Sequence, residues 1–291
     1  MLFRSIFNGA YKRENFFFKL DPFTIDSAGM LSEKNIAFNG LFVSNIFPDS
    51  REVLTVQPDY SLGFTKRTSP EGLQAYGGKG TFTDKVRLSN KGLQGDGSIK
   101  YITSTTVSKD IYFFPDSTLA EADEFTIEKK NIGTAEYPPV KAEHITVNWQ
   151  PHKDYLDAVK KDKDFELYDS QVTLDGNLRL SPKGLGGYGT AAFYNAELLS
   201  NDFRFKQVAF GADTSQFRLK ALDGINEYVV DAKNFNSNVD LGKKIGDFKS
   251  NAGTSKIDFP VNQYMCLIDK FKWYIEPKEL EFISEIGRAH V

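Results

Sequence analysis

Two glycine-rich phrases, each carrying a lysine, are the first places in this chain where residue types and spacing point to chemistry. VRLSNKGLQGDG spans residues 86–97 and LRLSPKGLGGYG spans 178–189. A phosphate cradle needs glycines that aim backbone N–H groups at the anion, followed by a lysine and a hydroxyl residue. Lys91 and Lys183 precede the glycines, so the order is wrong for that use. GLQAYGGKG at 72–80 comes nearer, but a further glycine intervenes and Gly80 stands where the hydroxyl residue belongs. The glycines read instead as bends or bulges between strands, which need positive φ or close backbone approach. On that reading Gly92, Gly95 and Gly97 turn the chain in the first phrase, and Gly184, Gly187 and Gly189 do so in the second.

Other chemistries find little support. His144 and His152 are eight residues apart, without a recognisable ligand spacing, so no metal is expected. The acidic cluster Asp116, Glu121, Asp123 and Glu124 lacks the spaced oxygens and glycine of a calcium loop and reads as a solvated turn. No G-x-S-x-G elbow is present, and SKD at 108–110 and SND at 200–202 suit turns in which side chains bond the backbone. Cys266, the single cysteine, reads as a small buried hydrophobe in YMCLID. Paired carboxylates cannot be picked from 39 acids by spacing alone. No catalytic residue and no cofactor is assigned. Trp149, Tyr168, Tyr194, Trp273 and Tyr274 could present flat faces to sugar rings, although a core role suits the same side chains.

The two glycine phrases are parts of a longer self-similarity. Pairing residue 86 with 178 and continuing to 127 and 219 gives 13 identities in 42 positions, eight of them in the first twelve. The same offset carries Tyr76 onto Tyr168, Ser108 onto Ser200, Asp110 onto Asp202 and Phe113 onto Phe205. A period of 92 residues is therefore expected to organise the fold. It divides the chain into the end of a preceding unit at 1–35, units at 36–127 and 128–219, and an incomplete unit at 220–285. The terminal EIGRAHV resembles the translation of a sequencing adapter, so 286–291 is set aside as non-native, His290 with it, and the chain is expected to be a fragment of a longer protein.

These chemistry-bearing residues must be positioned by strands. Apolar residues alternate at Val86 and Leu88, Ile111 and Phe113, Ile145, Val147 and Trp149, Phe203 and Phe205, and Phe271, Trp273 and Ile275. The abundance of Phe (25) and Tyr (13) beside only 3 Met favours aromatic-packed pleated surfaces. The expected fold is all-β with little helix: an elongated repeat stack, β-solenoid-like or made of tandem sandwich units of 92 residues. The best helical candidate is HKDYLDAVKKDKDF at 152–165, whereas STLAEADEF at 117–125 is assigned to a strand because its repeat mate contains Gly211.

With 36 Lys and Arg against 39 Asp and Glu, spread without a basic stripe, nucleic acid is excluded as a partner. No run reaches the roughly 20 apolar residues of a membrane-spanning helix, and MLFRSIFNGAYKRENFFF lacks the features of a signal peptide. At KGLQGDGSIKY, KGLGGYGTAAFYNAELLSNDFRF and FGADTSQFRL the chain resembles large, repetitive, β-rich proteins of Bacteroidota. The pattern of alternation is also similar, more loosely, to β-groove proteins that carry lipids across the periplasm. The resemblance implies a non-enzymatic scaffold of the bacterial cell envelope, periplasmic or associated with the outer membrane, with neighbouring repeats of the same chain as partners. Two alternatives stay open, a lipid-conducting groove and a glycan-binding or glycan-cleaving repeat protein, with envelope lipid or glycan as ligand.

Overall fold

The computed structural model describes residues 11–24, 36–222 and 227–283; residues 286–291, and parts of the segments expected at 1–35 and 220–285, lie outside the described residues. The protein is all-β: among the described residues, apart from one 3-10 turn at Pro151–Lys153, every regular element is a strand, and the strand ladders are antiparallel.

Two compact units are formed, Met1–Phe125 with Glu143–Leu156, and Thr126–Ala142 with Asp157–Val291. Along the chain the strands are β1 (Phe17–Leu20), β2 (Ala37–Val43), β3 (Ser50–Val56), β4 (Leu62–Arg67), β5 (Leu73–Ala75), β6 (Gly80–Ser89), β7 (Gly92–Tyr101), β8 (Ser104–Phe113) and β9 (Thr118–Ile127). They continue as the short hairpin β10 (Lys130–Ile132) and β11 (Ala135–Tyr137), then β12 (Val140–Gln150), β13 (Tyr155–Val159), β14 (Phe165–Leu167), β15 (Val172–Ser181), β16 (Gly184–Phe193), β17 (Ala196–Phe205) and β18 (Ala209–Lys220). The last six are β19 (Tyr228–Asp240), β20 (Ile245–Ser250), β21 (Ser255–Phe259), β22 (Tyr264–Ile268), β23 (Lys270–Tyr274) and β24 (Glu279–Ile283).

Period-two burial explains these strands. In β15 the side chains of Val172, Leu174, Leu178 and Leu180 are buried, while Asp175 and Arg179 face outward. Each such aliphatic side chain contributes about 1.5–3 kcal/mol on burial. The helix expected over 152–165 is absent. Leu156 and Ala158 are buried with half-buried Tyr155 and Asp157 alternating between and before them, and Asp154 adopts φ 54°, which ends the short 3-10 turn and starts β13. Strand pairing overrides helical propensity there. STLAEADEF lies in β9, where Ala120, Ala122 and Phe125 point inward. Its acids are therefore solvated on a strand: Glu121, Asp123 and Glu124 occupy the exposed positions of β9, and only Asp116 lies in the preceding turn.

Strand boundaries recur at the sequence offset. Those of β6, β7 and β8 reappear 92 residues later in β15, β16 and β17. Ladder registers recur too. Leu73 pairs with Phe82 between β5 and β6, Phe165 with Leu174 between β14 and β15, and Ile257 with Cys266 between β21 and β22.

A bulge recurs as well. The β7–β8 register shifts between Gly95 and Gly97, and the β16–β17 register between Gly187 and Gly189. Gly97 has φ +154° and Gly189 φ +134°, and a Cβ would lie 2.1 Å from the Thr83 carbonyl oxygen and 2.2 Å from that of Asp175, respectively. Only glycine fits either position. The opposite strand is shaped by the Ser-x-Asp triplets, which lie in bulges, not turns. Ser108 Oγ donates to the Glu121 carbonyl at 2.6 Å and accepts from the Asp110 N–H at 3.0 Å. Ser200 Oγ donates to the Thr214 carbonyl at 2.7 Å and accepts from the Asp202 N–H at 3.1 Å. The other phrase glycines differ in role: Gly92 and Gly184 open strands after tight turns, whereas Gly95 and Gly187 lie mid-strand, where a Cβ would press on Phe82 and Phe113 or on Asn177 and Phe205.

Both interiors are filled by aromatic rings. In the first unit Phe47, Phe82 and Phe113 meet at centroid distances of 4.9–6.1 Å. In the second, Phe217, Phe248, Phe271 and Trp273 pack together, with Phe248 stacked on Phe271 at 4.3 Å. Offset and edge-to-face pairs of this kind add about 0.5–1.5 kcal/mol each beyond area burial.

Candidate functional site

A concavity of the second unit lies over the outer face of β15, β16 and β17 and has a volume of about 760 Å³. Strand alternation decides what lines it. Leu178, Leu185, Phe203 and Phe205 go inward to the core, so Arg179, Gly186, Tyr188 and Arg204 face the groove. Gly186 pairs with Arg179 on one side and Arg204 on the other, so a residue without a side chain forms the floor between two guanidinium groups. Tyr188 is 51% exposed, and its hydroxyl meets the Asn177 amide on the neighbouring strand.

Each arginine is held by a carboxylate. Arg179 donates to Asp157 on β13 through Nε at 2.6 Å and Nη2 at 2.8 Å, a two-point geometry that fixes the plane of the guanidinium. Arg204 makes a two-point contact with Asp213 on β18. The hydrogen bond to Asp213 raises the Arg204 pKa, and the same bond holds the Asp213 carboxyl below the usual carboxylate range. Both partners are more than half exposed, so the pair orients the side chains and contributes little stability. Lys183 and Lys206, also on the groove, have no ion-pair partner among the described residues.

The first unit carries a concavity at the equivalent place, lined by Lys85, Arg87, Gln94, Gly95, Asp96 and Lys109, with a volume of about 120 Å³. These positions correspond, 92 residues on, to Asn177, Arg179, Gly186, Gly187, Tyr188 and Asn201, all of which line the larger groove. Backbone pairing is the same in both places. The side chains differ: Arg87 donates to the Gln94 Oε1 at 2.9 Å across the space that Gly186 leaves empty. Asp96 is replaced by the aromatic Tyr188.

The aromatic candidates of the sequence are distributed differently. Trp149 is 1% exposed, edge-on to Tyr76 at 5.0 Å and against Tyr101 at 5.1 Å. Trp273 is equally buried, against Phe193 and Phe217. Tyr168 is buried, donates to the Ala209 carbonyl at 2.9 Å and adopts φ 54°, as its repeat mate Tyr76 adopts φ 51°. These three rings offer no free face to a ligand because core neighbours cover them. Tyr194 is 54% exposed, in the turn after β16, and does not line the groove. Tyr274 is half-buried and donates to Glu281 at 2.8 Å. None of the five candidates lines the groove.

Nothing in the groove converges as a catalytic acid–base pair would. Of its carboxylates, Asp157 is tied to Arg179, Asp202 shares the Ser200 hydroxyl proton with the Thr214 carbonyl, and Glu136 accepts from the Gln207 N–H. No group of three or more His, Cys, Asp or Glu side chains among the described residues is arranged to hold a metal ion. His144 is exposed on β12 at φ 52°, and His152 lies edge-on to Tyr76 with Nε2 3.2 Å from the Pro115 carbonyl. Cys266 is half-buried, and burial pushes its thiol pKa up. No protein-family model matches the chain, and neither a curated protein nor a solved structure matches it.

Sequence reasoning missed the groove because its floor, Gly186, lies among the glycines read as bends and was not itself singled out. The difference between Asp96 and Tyr188 was visible in the paired phrases; the Gln94 to Gly186 difference two residues earlier was the stronger signal.

Proposed function

We propose that the chain is a non-enzymatic, repetitive β-scaffold from a large protein of the bacterial cell envelope. The observation that carries this reading is the recurrence of one hairpin register at Leu73–Phe82, Phe165–Leu174 and Ile257–Cys266, each displaced by 92 residues. A frame rebuilt along the chain, with the same bulge under the same glycine, is the property of a stacked support. The aromatic filling of both units supports it over a lipid-conducting groove, which would need open apolar walls. The separate anchoring of Asp157, Asp202 and Glu136 supports a binding face over a cleavage site.

Neighbouring repeats are the partners that this reading supplies. Tyr264, Met265 and Leu267 on β22 are 54–63% exposed, and a stacked unit would cover such a strand. Envelope location comes from the resemblance at the KGLQGDG and KGLGGYG phrases. The test is fractionation of the source bacterium with a tagged full-length protein, together with hydrolase assays on envelope polysaccharides. Recovery with the envelope and no turnover is the expected result. Recovery in the cytosol, or turnover abolished by Asp157→Asn, would overturn the proposal.

A further inference from the structure

The geometry points to a binding site for an acidic oligosaccharide, one bearing uronate or sulfate groups, in the groove over Gly186. The inference rests on the repeat reading above, because the first unit supplies the matched site in which the groove is closed.

A peptide strand is excluded from adding to this surface. β16 is paired along its length with β15 and β17, so its N–H and C=O groups are already used. Recognition must come from side chains, and those present suit a sugar. Tyr188 supplies a half-exposed aromatic face. Arg179 and Arg204 supply guanidinium planes held in place by Asp157 and Asp213, beside which carboxylate or sulfate oxygens and vicinal hydroxyls would lie. Asn177 and Asn201 add amides at the Tyr188 end, and Lys183 and Lys206 add point charges at the hairpin end.

Size and charge are consistent with the same ligand. From Gly184 to Tyr188 the floor advances about 13 Å at roughly 3.3 Å per residue, which suits a short oligosaccharide lying along the strand. Arg179, Lys183, Arg204 and Lys206 face Glu136, Asp157 and Asp202 across the lining, and Asp157 is already neutralised by Arg179. Arg204 is likewise committed to Asp213, which leaves Lys183 and Lys206 at the hairpin end against the single carboxylate there, Glu136, so an anionic group is favoured at that end. The volume of about 760 Å³ is within the range of small-ligand sites, whereas the 120 Å³ of the first unit is too small.

The test is titration calorimetry of the purified chain with three probes: a galacturonic-acid trimer, a sulfated heparin-derived oligosaccharide and a neutral cello-oligosaccharide. The first two distinguish carboxylate from sulfate as the anion; the third should bind at least about tenfold more weakly than the better of them. Gly186→Gln, which installs the residue of the first unit and brings a Cβ to 3.1 Å from the Phe203 carbonyl oxygen, should cut affinity about tenfold or more while the far-ultraviolet circular dichroism spectrum stays that of the folded chain. Tyr188→Ala should do the same without filling the floor. Gln94→Gly in the first unit should leave the affinity of the second-unit site unaltered. Failure of both anionic probes to bind, equal binding of the neutral probe, or full affinity in both Gly186→Gln and Tyr188→Ala would overturn the inference. Those outcomes would leave the scaffold reading intact, since that reading is tested by fractionation and turnover.

Discussion

Replacing Gly189 by alanine should cost the second unit a large part of its stability. The added Cβ would lie 2.2 Å from the Asp175 carbonyl oxygen and 2.7 Å from the Gly176 Cα, and both are backbone atoms that cannot swing aside. Gly189 also holds φ +134°, a region that side-chain-bearing residues avoid at a cost of roughly 1–3 kcal/mol. Relieving the clash means opening the ladder beside the bulge, and each hydrogen bond lost there adds about 1 kcal/mol. The sum is about 2–5 kcal/mol, against a typical domain stability of about 5–15 kcal/mol. Gly97→Ala should cost a similar amount in the first unit, because its Cβ would meet the Thr83 carbonyl at 2.1 Å. Gly242→Ala is the control: its nearest neighbour is a side-chain oxygen of Asp240 at 3.4 Å, and the change should stay within about 0.5 kcal/mol. Urea unfolding followed by far-ultraviolet circular dichroism reads all three. A loss below about 0.5 kcal/mol for Gly189→Ala would refute the bulge account.

Other consequences follow from the buried tyrosines and the single thiol. Tyr168→Phe removes one of two donors to the Ala209 carbonyl, which keeps the Lys206 N–H, and should cost about 1 kcal/mol; Tyr76→Phe, which removes contacts to Phe114, Ser117 and Thr118, should cost at least as much in chemical denaturation. Burial raises the hydroxyl pKa of Tyr76 and Tyr168, and pushes that of Tyr11 up to about 12 against an opposing hydrogen bond from the Leu93 N–H. Because the folded values are raised, this stabilisation is fully present below about pH 10 and is lost as pH climbs towards the folded values. Tyrosinate absorbance should then show these three rings ionising only with unfolding, and free titration near pH 10 in the folded state would contradict their burial. Cys266, its thiol pKa raised by burial, should be alkylated at neutral pH more slowly than free cysteine; a faster reaction would place it outside β22.

The sequence shows the fold class because alternation of buried and exposed side chains is a local property: Val172, Leu174, Leu178 and Leu180 announce β15 without reference to any partner. The pairing of Gly97 with Gly189 at an offset of 92 residues is legible too, and both are held by backbone contacts that nothing but glycine tolerates. The segment 152–165 misled because its charges space well for a helix, while the deciding contact is a ladder formed far away in sequence. Candidate ligand rings misled for a related reason. Exposure is a tertiary property, and Trp149 and Trp273 are the most valuable side chains to bury. The groove over Gly186 depends on what is missing between Arg179 and Arg204, and only strand register places those three residues in one row.

The most direct test of the repeating frame is the cross-strand pairing itself. Backbone nuclear Overhauser contacts should place Leu73 opposite Phe82, Phe165 opposite Leu174 and Ile257 opposite Cys266, with register shifts at Gly95–Gly97 and Gly187–Gly189. A helical pattern in any of these segments, or one copy slipped by a residue relative to the others, would contradict the account.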